Sequence, residues 1–400
     1  MKKIVFFCIP AYGHTNPTLG VVRELVAQGN KVWYYSFNQF QAAIEEAGAI
    51  FVSCDGFDQT GNLSAKDGAK IAKDLAFATK VLVDTTLCLD DAIYEDLLKI
   101  KPDCIVADSM ALWGKLIAKK LNTKFVSSTT TFAFNKESAR IMGQSILNAA
   151  KMIISIPKIN RELSRLQEKG YPVNSILEII ANDPNTDTIV YTSPEFQPCA
   201  QTFSDKYAFV GPSIRPVMQP FQKKMEKLIY ISMGTVNNDL LPIYQSCIDA
   251  LKRTNYQVVL SIGNQVDPKL IKNKSENISI YPSVDQIAVL QQSDLFITHC
   301  GMNSVTEALF FGVPLLMLPQ TSEQLGVSRR VEQLGAGIIQ KKKNAKAIYK
   351  SVETLLSRQE YYKNASKISE SFQKCSGAQG AAKKILDVCD LQITHKVKYP

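Results

Sequence analysis

The sequence predicts an α/β protein of two domains, each wound around a parallel sheet, and three observations predict it. The chain has 400 residues, more than one ordinary hydrophobic core organises. Short continuous apolar runs alternate with amphipathic stretches, the pattern of strands buried on both faces and covered by helices. That pattern is interrupted at residues 209–222, "FVGPSIRPVMQPFQ", where three prolines and a glycine fit neither period, and then restarts.

The elements follow in order. "KIVFFCI" is a strand, followed by a helix from about Thr18 in which Leu19, Val22 and Val26 share a face and Gly29 closes the end. "KVWYYSF", the helix "QFQAAIEEAG" and the strand "AIFVSC" come next. After a long helical stretch to about Ile100, "DCIVADSM" is a strand, "LWGKLIAKKLN" its helix and "KFVSSTTTF" a further strand. Beyond the interruption, "KLIYISMG" is a strand, "LLPIYQSCIDALKRT" a helix and "YQVVLSIG" a strand. "DLFITHC", "VPLLMLP" and "AGIIQ" are later strands separated by helices. The expected organisation is a Rossmann-like domain over 1–210, a linker over 211–225 and a second Rossmann-like domain over 226–358. A helical segment over 359–400 is expected to pack back on the first domain.

Composition narrows the function. The chain is 46% hydrophobic and 21% charged, with no low-complexity tract and no apolar run long enough to span a bilayer. "MKKIVFFCIPA" imitates a secretory signal, but its apolar run ends at Pro10, and a buried first strand accounts for it better. Nine cysteines without a C-x-x-C pair argue against a disulfide framework and a zinc site, so a reducing cytoplasm is expected. The net charge of +9 is dispersed except at "KKKNAK" from Lys341, read as a solvated helix entrance, and neither nucleic-acid binding nor stable membrane insertion is expected.

Open α/β sheets bind ligands at the carboxyl ends of their strands, so chemistry is sought just after strands, in a cleft between the two sheets. After the first strand comes Gly13-His14-Thr15-Asn16-Pro17. Asn16 reads as an N-cap and Pro17 as the first helical residue, which puts His14 on the preceding loop. A helix start disfavours a cationic imidazole, and a neutral histidine there is suited to act as a base; bonding within its own loop is an equal alternative. Asp108 ends the strand "CIVAD". It either pairs with His14, fixing its tautomer, or caps the helix that follows. No serine or cysteine sits in a nucleophile-elbow pattern, which leaves covalent catalysis without support.

The second half carries "FITHCGMNSVTEALFFGVPLLMLPQTSEQ", residues 296–324. A strand runs into His299, Gly301 lets the backbone approach a ligand, and the amides near Asn303 and Ser304 offer a helix start to a diphosphate, to which His299 adds a hydrogen bond. Ser304 and Glu307 read either as a capping box or, for Glu307, as an acceptor for ribose hydroxyls. "SMGTV" brings Gly234 and Thr235 to the same edge, and Glu323 with Gln324 can fork onto sugar hydroxyls.

Together, "HCGMNSVTEALFFGVPLLMLPQTSEQ", "GHTNP", "DS" at 108–109 and "SMGT" at 232–235 resemble the family 1 glycosyltransferases, bacterial macrolide and plant secondary-metabolite enzymes among them, over almost the whole chain. The resemblance implies the GT-B fold and an inverting, metal-independent enzyme with no cofactor beyond its co-substrate, a nucleoside diphosphate sugar, taken as uridine diphosphate glucose. It makes His14 the base and Asp108 its partner. Donor contacts are carried to Gly234, Thr235, Ser283, Val284, Gln286, His299, Gly301, Asn303, Ser304 and Glu307, with Glu323 and Gln324 on the sugar. The chain departs from the family's W-x-P-Q with "SVDQ", Ser283 to Gln286: the aromatic platform for the base is missing and the proline is Asp285. Cys300 reads as a small buried residue.

The partner on the acceptor side is expected to be a small apolar hydroxylated molecule, phenolic, polyketide or macrolide. Phe77, Phe132, Phe134, Met142 and Ile146 are candidates to line its pocket, with plain core the competing account of each. A monomer or homodimer is expected. The alternatives are a lipid glycosyltransferase working at a membrane surface and a nucleotide-sugar-binding protein without turnover; a dinucleotide-dependent oxidoreductase lacks its G-x-G-x-x-G.

Overall fold

Apolar runs without polar alternation have no face to offer water, so they pair with one another in the interior. The computed structural model describes residues 1–55, 74–141, 147–176, 179, 184–234, 240–273 and 275–391. They form two compact units, each around one parallel sheet: residues 1–191, 199–213 and 376–400 in the first, and residues 192–198 with 214–375 in the second.

In the first unit, β1 (Lys3–Phe7), β2 (Lys31–Ser36), β3 (Ile50–Ser53), β4 (Cys104–Asp108), β5 (Phe125–Thr129), β6 (Asp187–Val190) and β7 (Tyr207–Phe209) lie in the order β3-β2-β1-β4-β5-β6-β7. The helices are α1 (Tyr12–Ala27), α2 (Gln41–Glu46), α3 (Leu75–Ile100), α4 (Leu112–Lys120), α5 (Lys136–Ile141) and α6 (Leu147–Glu168). The chain winds outward from β1 to β3 and then returns to place β4 on the other side of β1, registering Phe7 beside Ala107. β4 is buried along its whole length, its four apolar residues and the Asp108 that ends it alike, and Phe6 stacks on Tyr34 of the neighbouring strand with ring centroids 5.5 Å apart.

The second unit repeats the winding. β8 (Lys227–Ser232), β9 (Tyr256–Ser261), β10 (Ile278–Tyr281), β11 (Leu295–Thr298), β12 (Leu315–Met317) and β13 (Gly337–Ile339) lie in the order β10-β9-β8-β11-β12-β13. Its helices are α7 (Leu241–Leu251), α8 (Gln286–Leu290), α9 (Met302–Phe310), α10 (Ser322–Gln333), α11 (Ala345–Ser357) and α12 (Gln359–Gln373). Tyr230 of β8 stacks on Phe296 of β11 at 4.8 Å, so the central strands are joined by rings as well as by their ladder.

Two expected boundaries shift. The segment 359–400 does not pack as one piece on the first domain: α12 stays with the second unit, packed on α9, and only α13 (Gly377–Asp390) joins the first. The reason is apolar content at the right spacing. Ala381, Ala382 and Ile385 are fully buried in the first unit's core, and Gly377 N–H donates to the Val210 carbonyl at 2.7 Å. Residues 192–198, expected in the first domain, belong to the second unit. There the Arg330 guanidinium donates to the Glu195 and Phe196 carbonyls at 2.7 and 2.9 Å, and Ser193 hydrogen-bonds Ser371. No described helix is long and apolar enough to cross a membrane.

Candidate functional site

Where a doubly wound sheet reverses its strand order, the loops after the two central strands diverge and leave a crevice. In the first sheet that point lies between β1 and β4, and the neighbouring strands β4 and β5 are in register from Ile105–Phe125 to Asp108–Ser128. His14 follows β1, Asp108 ends β4 and Thr130 follows β5. His14 Nδ1 lies 2.7 Å from Asp108 Oδ2, and Thr130 Oγ1 lies 3.0 Å from the same nitrogen. The Asp108 side chain is fully buried and that of His14 is 19% exposed. Of the two alternatives for Asp108 the pairing holds and the helix cap does not: Oδ2 meets the imidazole, α4 is capped at Ala111 without a side-chain bond, and Oδ1 instead accepts the Met110 N–H at 2.8 Å, so the turn that ends β4 fixes the carboxylate that fixes the ring.

His14 is not on a loop. α1 starts at Tyr12 with Ala11 as an extended N-cap, and His14 sits in its first turn with Pro17 inside the helix. The Ala11 carbonyl takes the N–H groups of both His14 and Thr15, which starts the helix one turn before the proline. Pro17 then forfeits only its own bond, a tolerable loss this close to the end. Thr130 was not singled out in the sequence; the signal was the hydroxyl run Thr129-Thr130-Thr131 at a strand end.

In the second sheet the reversal lies between β8 and β11, where Ser232 registers with Thr298. Gly234 follows β8 and His299 follows β11. A Cβ on Gly234 would stand 2.5 Å from His299 Cε1 and one on Gly301 2.9 Å from Nε2, and Gly234 takes a φ of 80°. What comes close to Gly301 is therefore the His299 ring, which two glycines admit into the strand ends. Burial pushes this imidazole down to about 4, against a smaller upward pull from the Ser232 backbone, and its Nδ1 is buried without a hydrogen-bond partner among the described residues. Cys300 beside it takes a φ of 69°, and burial pushes its thiol up to about 12, which makes it inert. None of the nine cysteines is in a disulfide.

Ser304 and Glu307 form no capping box. α9 begins two residues earlier, at Met302, with Gly301 as N-cap and no side-chain cap bond. Glu307 is instead one end of a polar chain: Gln286 Nε2, at the start of α8, donates to Glu307 Oε2 at 2.5 Å and to Ser304 Oγ at 3.3 Å, and Tyr230 Oη donates to Gln286 Oε1 at 3.3 Å. Burial pushes the Glu307 carboxyl up to about 7, offset in part by Gln286 and by the Arg215 charge. Asn303 stands in the first turn of α9, whose N–H groups the helix cannot satisfy itself.

Other expected contacts fare differently. Ser283 is exposed and Val284 half-buried on the loop between β10 and α8. Glu323 is exposed in the first turn of α10, but Gln324 is committed: its Oε1 accepts the N–H groups of Gln320 and Thr321 at 2.8 and 3.2 Å, and its own N–H is capped by Thr321 Oγ1. The capping box foreseen at Ser304 stands at Thr321–Gln324. Among the acceptor candidates Phe77 and Phe134 are half-buried, whereas Phe132 is 1% exposed and packs as core. Thr235, Met142 and Ile146 lie outside the described residues.

Comparison with known proteins gives the family and the fold. Residues 228–385 match the Glycosyltransferase family 28 C-terminal domain. The NDP-glycosyltransferase YjiC of Bacillus subtilis is 31% identical over 396 residues, covering 96% of this chain and 97% of that one. The demethyllactenocin mycarosyltransferase of Streptomyces fradiae is 26% identical over 351 residues, 84% of this chain and 75% of that one. The crystal structure of the kitacinnamycin glycosyltransferase superposes with a TM-score of 0.82 at 24% identity, over 97% and 98% of the two chains. The chain belongs to the bacterial family 1 glycosyltransferases and carries their GT-B fold.

Proposed function

We propose that this glycosyltransferase moves glucose from uridine diphosphate glucose to a hydroxyl of a small, largely apolar natural product of the phenolic, polyketide or macrolide kind, with inversion and without a metal. The observation that carries the reading is the 2.7 Å pair of His14 and Asp108 at the strand reversal of the first sheet. With Nδ1–H held by Asp108, the neutral ring keeps its lone pair on Nε2. That nitrogen takes the acceptor's hydroxyl proton as the oxygen bonds to the anomeric carbon and the bond to the diphosphate breaks. Asp108 stabilises the imidazolium that results, and the proton passes to solvent after transfer. Attack opposite the leaving group turns an α-linked donor into a β-glycoside.

The second unit holds the donor in this reading. The first-turn amides of α9 face the diphosphate, a neutral His299 donates a hydrogen bond where a lysine would bring charge, and Glu307 accepts from the ribose. The natural-product acceptor is supported by the relative named for demethyllactenocin, and the uridine donor by relatives named as UDP-glucosyltransferases. A mass-spectrometric screen of nucleotide sugars against phenolic, steroid and macrolide acceptors, run with and without EDTA, tests it. A hexosylated product of unchanged yield under EDTA is expected. Full loss with rescue by magnesium or manganese overturns the metal-independent part, and absence of product from every uridine sugar overturns the donor.

A further inference from the structure

Ser283 cannot hold a nucleobase as an aromatic ring would, yet the same loop carries a second change that the structure explains. Asp285 caps α8, its Oδ1 accepting the Ala288 N–H at 3.1 Å, and is thereby fixed in place. Onto this carboxylate Arg215, from the irregular segment before β8, closes a two-point fork, with Nη2 on Oδ1 at 2.5 Å and Nη1 on Oδ2 at 3.1 Å. We propose that Arg215 replaces the missing aromatic platform: its guanidinium plane, held by Asp285, stacks on the base of the bound nucleoside diphosphate. The proposal rests on the donor reading given above.

Three observations carry it. A carboxylate fork uses the in-plane N–H groups and leaves both flat faces of the guanidinium for a ring, and arginine stacks on bases for that reason. The side chain is 49% exposed, so a face is available. The position is also right: Gln286, the residue after Asp285, reaches Glu307 and Ser304, so the fork lies at the turn that leads into the ribose-binding group. The Arg215 charge is felt at Glu307, whose carboxyl it pulls downward. Tyr281 is the rival platform. It is 40% exposed but ends β10, two residues before Ser283, where an extended segment shares a face without sharing a place.

Titration calorimetry with uridine diphosphate and, separately, inorganic pyrophosphate tests this on wild type, Arg215→Ala, Arg215→Lys, Tyr281→Ala and the double variant Arg215→Ala/Ser283→Trp. Both Arg215 variants are expected to weaken uridine diphosphate by about 5- to 150-fold, the range of base stacking, while pyrophosphate binding stays unchanged. The added tryptophan is expected to restore the loss. Wild-type affinity in Arg215→Lys shows that charge alone suffices and overturns the proposal, as does a parallel loss for pyrophosphate, which makes Arg215 a phosphate contact. A loss carried by Tyr281→Ala while Arg215→Ala binds normally overturns it too. Wild type that binds pyrophosphate but not uridine diphosphate overturns the donor reading itself.

Discussion

The two sheets reverse their strand order at the same step of their winding, between the first and fourth strands, and each puts a histidine there, in opposite electrical settings. His14 has a buried carboxylate at 2.7 Å and a partly exposed ring, so a proton arriving at Nε2 finds its countercharge in place. His299 has no carboxylate among its determinants: it is enclosed by Gly234 and Gly301, and burial holds it neutral. One topology thus builds two tools. In the proposed reaction the paired imidazole takes up a proton, whereas the desolvated one stays neutral as the diphosphate leaves.

The largest expected effect breaks the first half of that contrast. His14→Ala is expected to lower turnover by about a hundredfold to ten-thousandfold, the range for a general base, with donor affinity unchanged in calorimetry. Equal loss of donor affinity would show that the two histidines do not divide the work. Next in size, Gly234→Ala drives a methyl group into the His299 ring and strains a left-handed position, a cost of about 1–3 kcal/mol where the structure enforces it. It is expected to weaken uridine diphosphate by about fivefold or more at that cost while leaving the pH dependence of the His14 step in place. A pH–rate profile that shifts instead would point to a wider rearrangement.

The smallest effect sharpens the electrical argument within the second unit. His299 falls from an ordinary 6.5 to about 4, so between these values the unfolded chain binds the extra proton; its contribution to stability is present above about 6.5 and lost as pH falls toward 4. Glu307 rises from 4.5 to about 7, so the native chain binds the extra proton, and its contribution is present below about 4.5 and lost as pH rises through 7. The two slopes oppose each other. Glu307→Gln removes one, and urea unfolding is expected to show it gaining on wild type from pH 5 to pH 8, on the order of 1 kcal/mol. A constant difference across that range would mean that Glu307 is ionised throughout.

Much of this was legible from the residue pattern, because continuous apolar runs identify interior strands and strand ends identify the site. His14 with Asp108 were found that way, and the structure brings them together. Helix starts were misread at the two places that matter most. Cap preferences are preferences of side chains, and α1 and α9 have Ala11 and Gly301 as N-caps with no capping side chain, so Asn16 and Ser304 point to the wrong turns. A capping hydroxyl would occupy amides that an anion needs. Thr130 is not legible in the sequence because one threonine in a run of three carries no period, nor is Arg215, whose partner lies 70 residues away. β6, β7 and β10 have a polar residue within or beside their three or four residues, Asp187, Lys206 and Ser279, and lack the continuous apolar run that makes β12 legible at three residues.

The route of the chain has a consequence for anyone who recombines such enzymes. The backbone changes units after residues 191, 198, 213 and 375, so no single crossover point separates the two units. A chimera cut once in the proline-rich stretch would carry a foreign α13 against its α1, and the buried faces of Ala381, Ala382 and Ile385 would meet a surface shaped for other side chains. It would also leave Arg330 facing a foreign 192–198 strand of chain, although main-chain carbonyls, being common to every sequence, accept its bonds without regard to origin. The helix α13 is thus inherited with the N-terminal half, and an exchange of the first unit between relatives keeps its core together when residues 376–391 travel with residues 1–191 and 199–213.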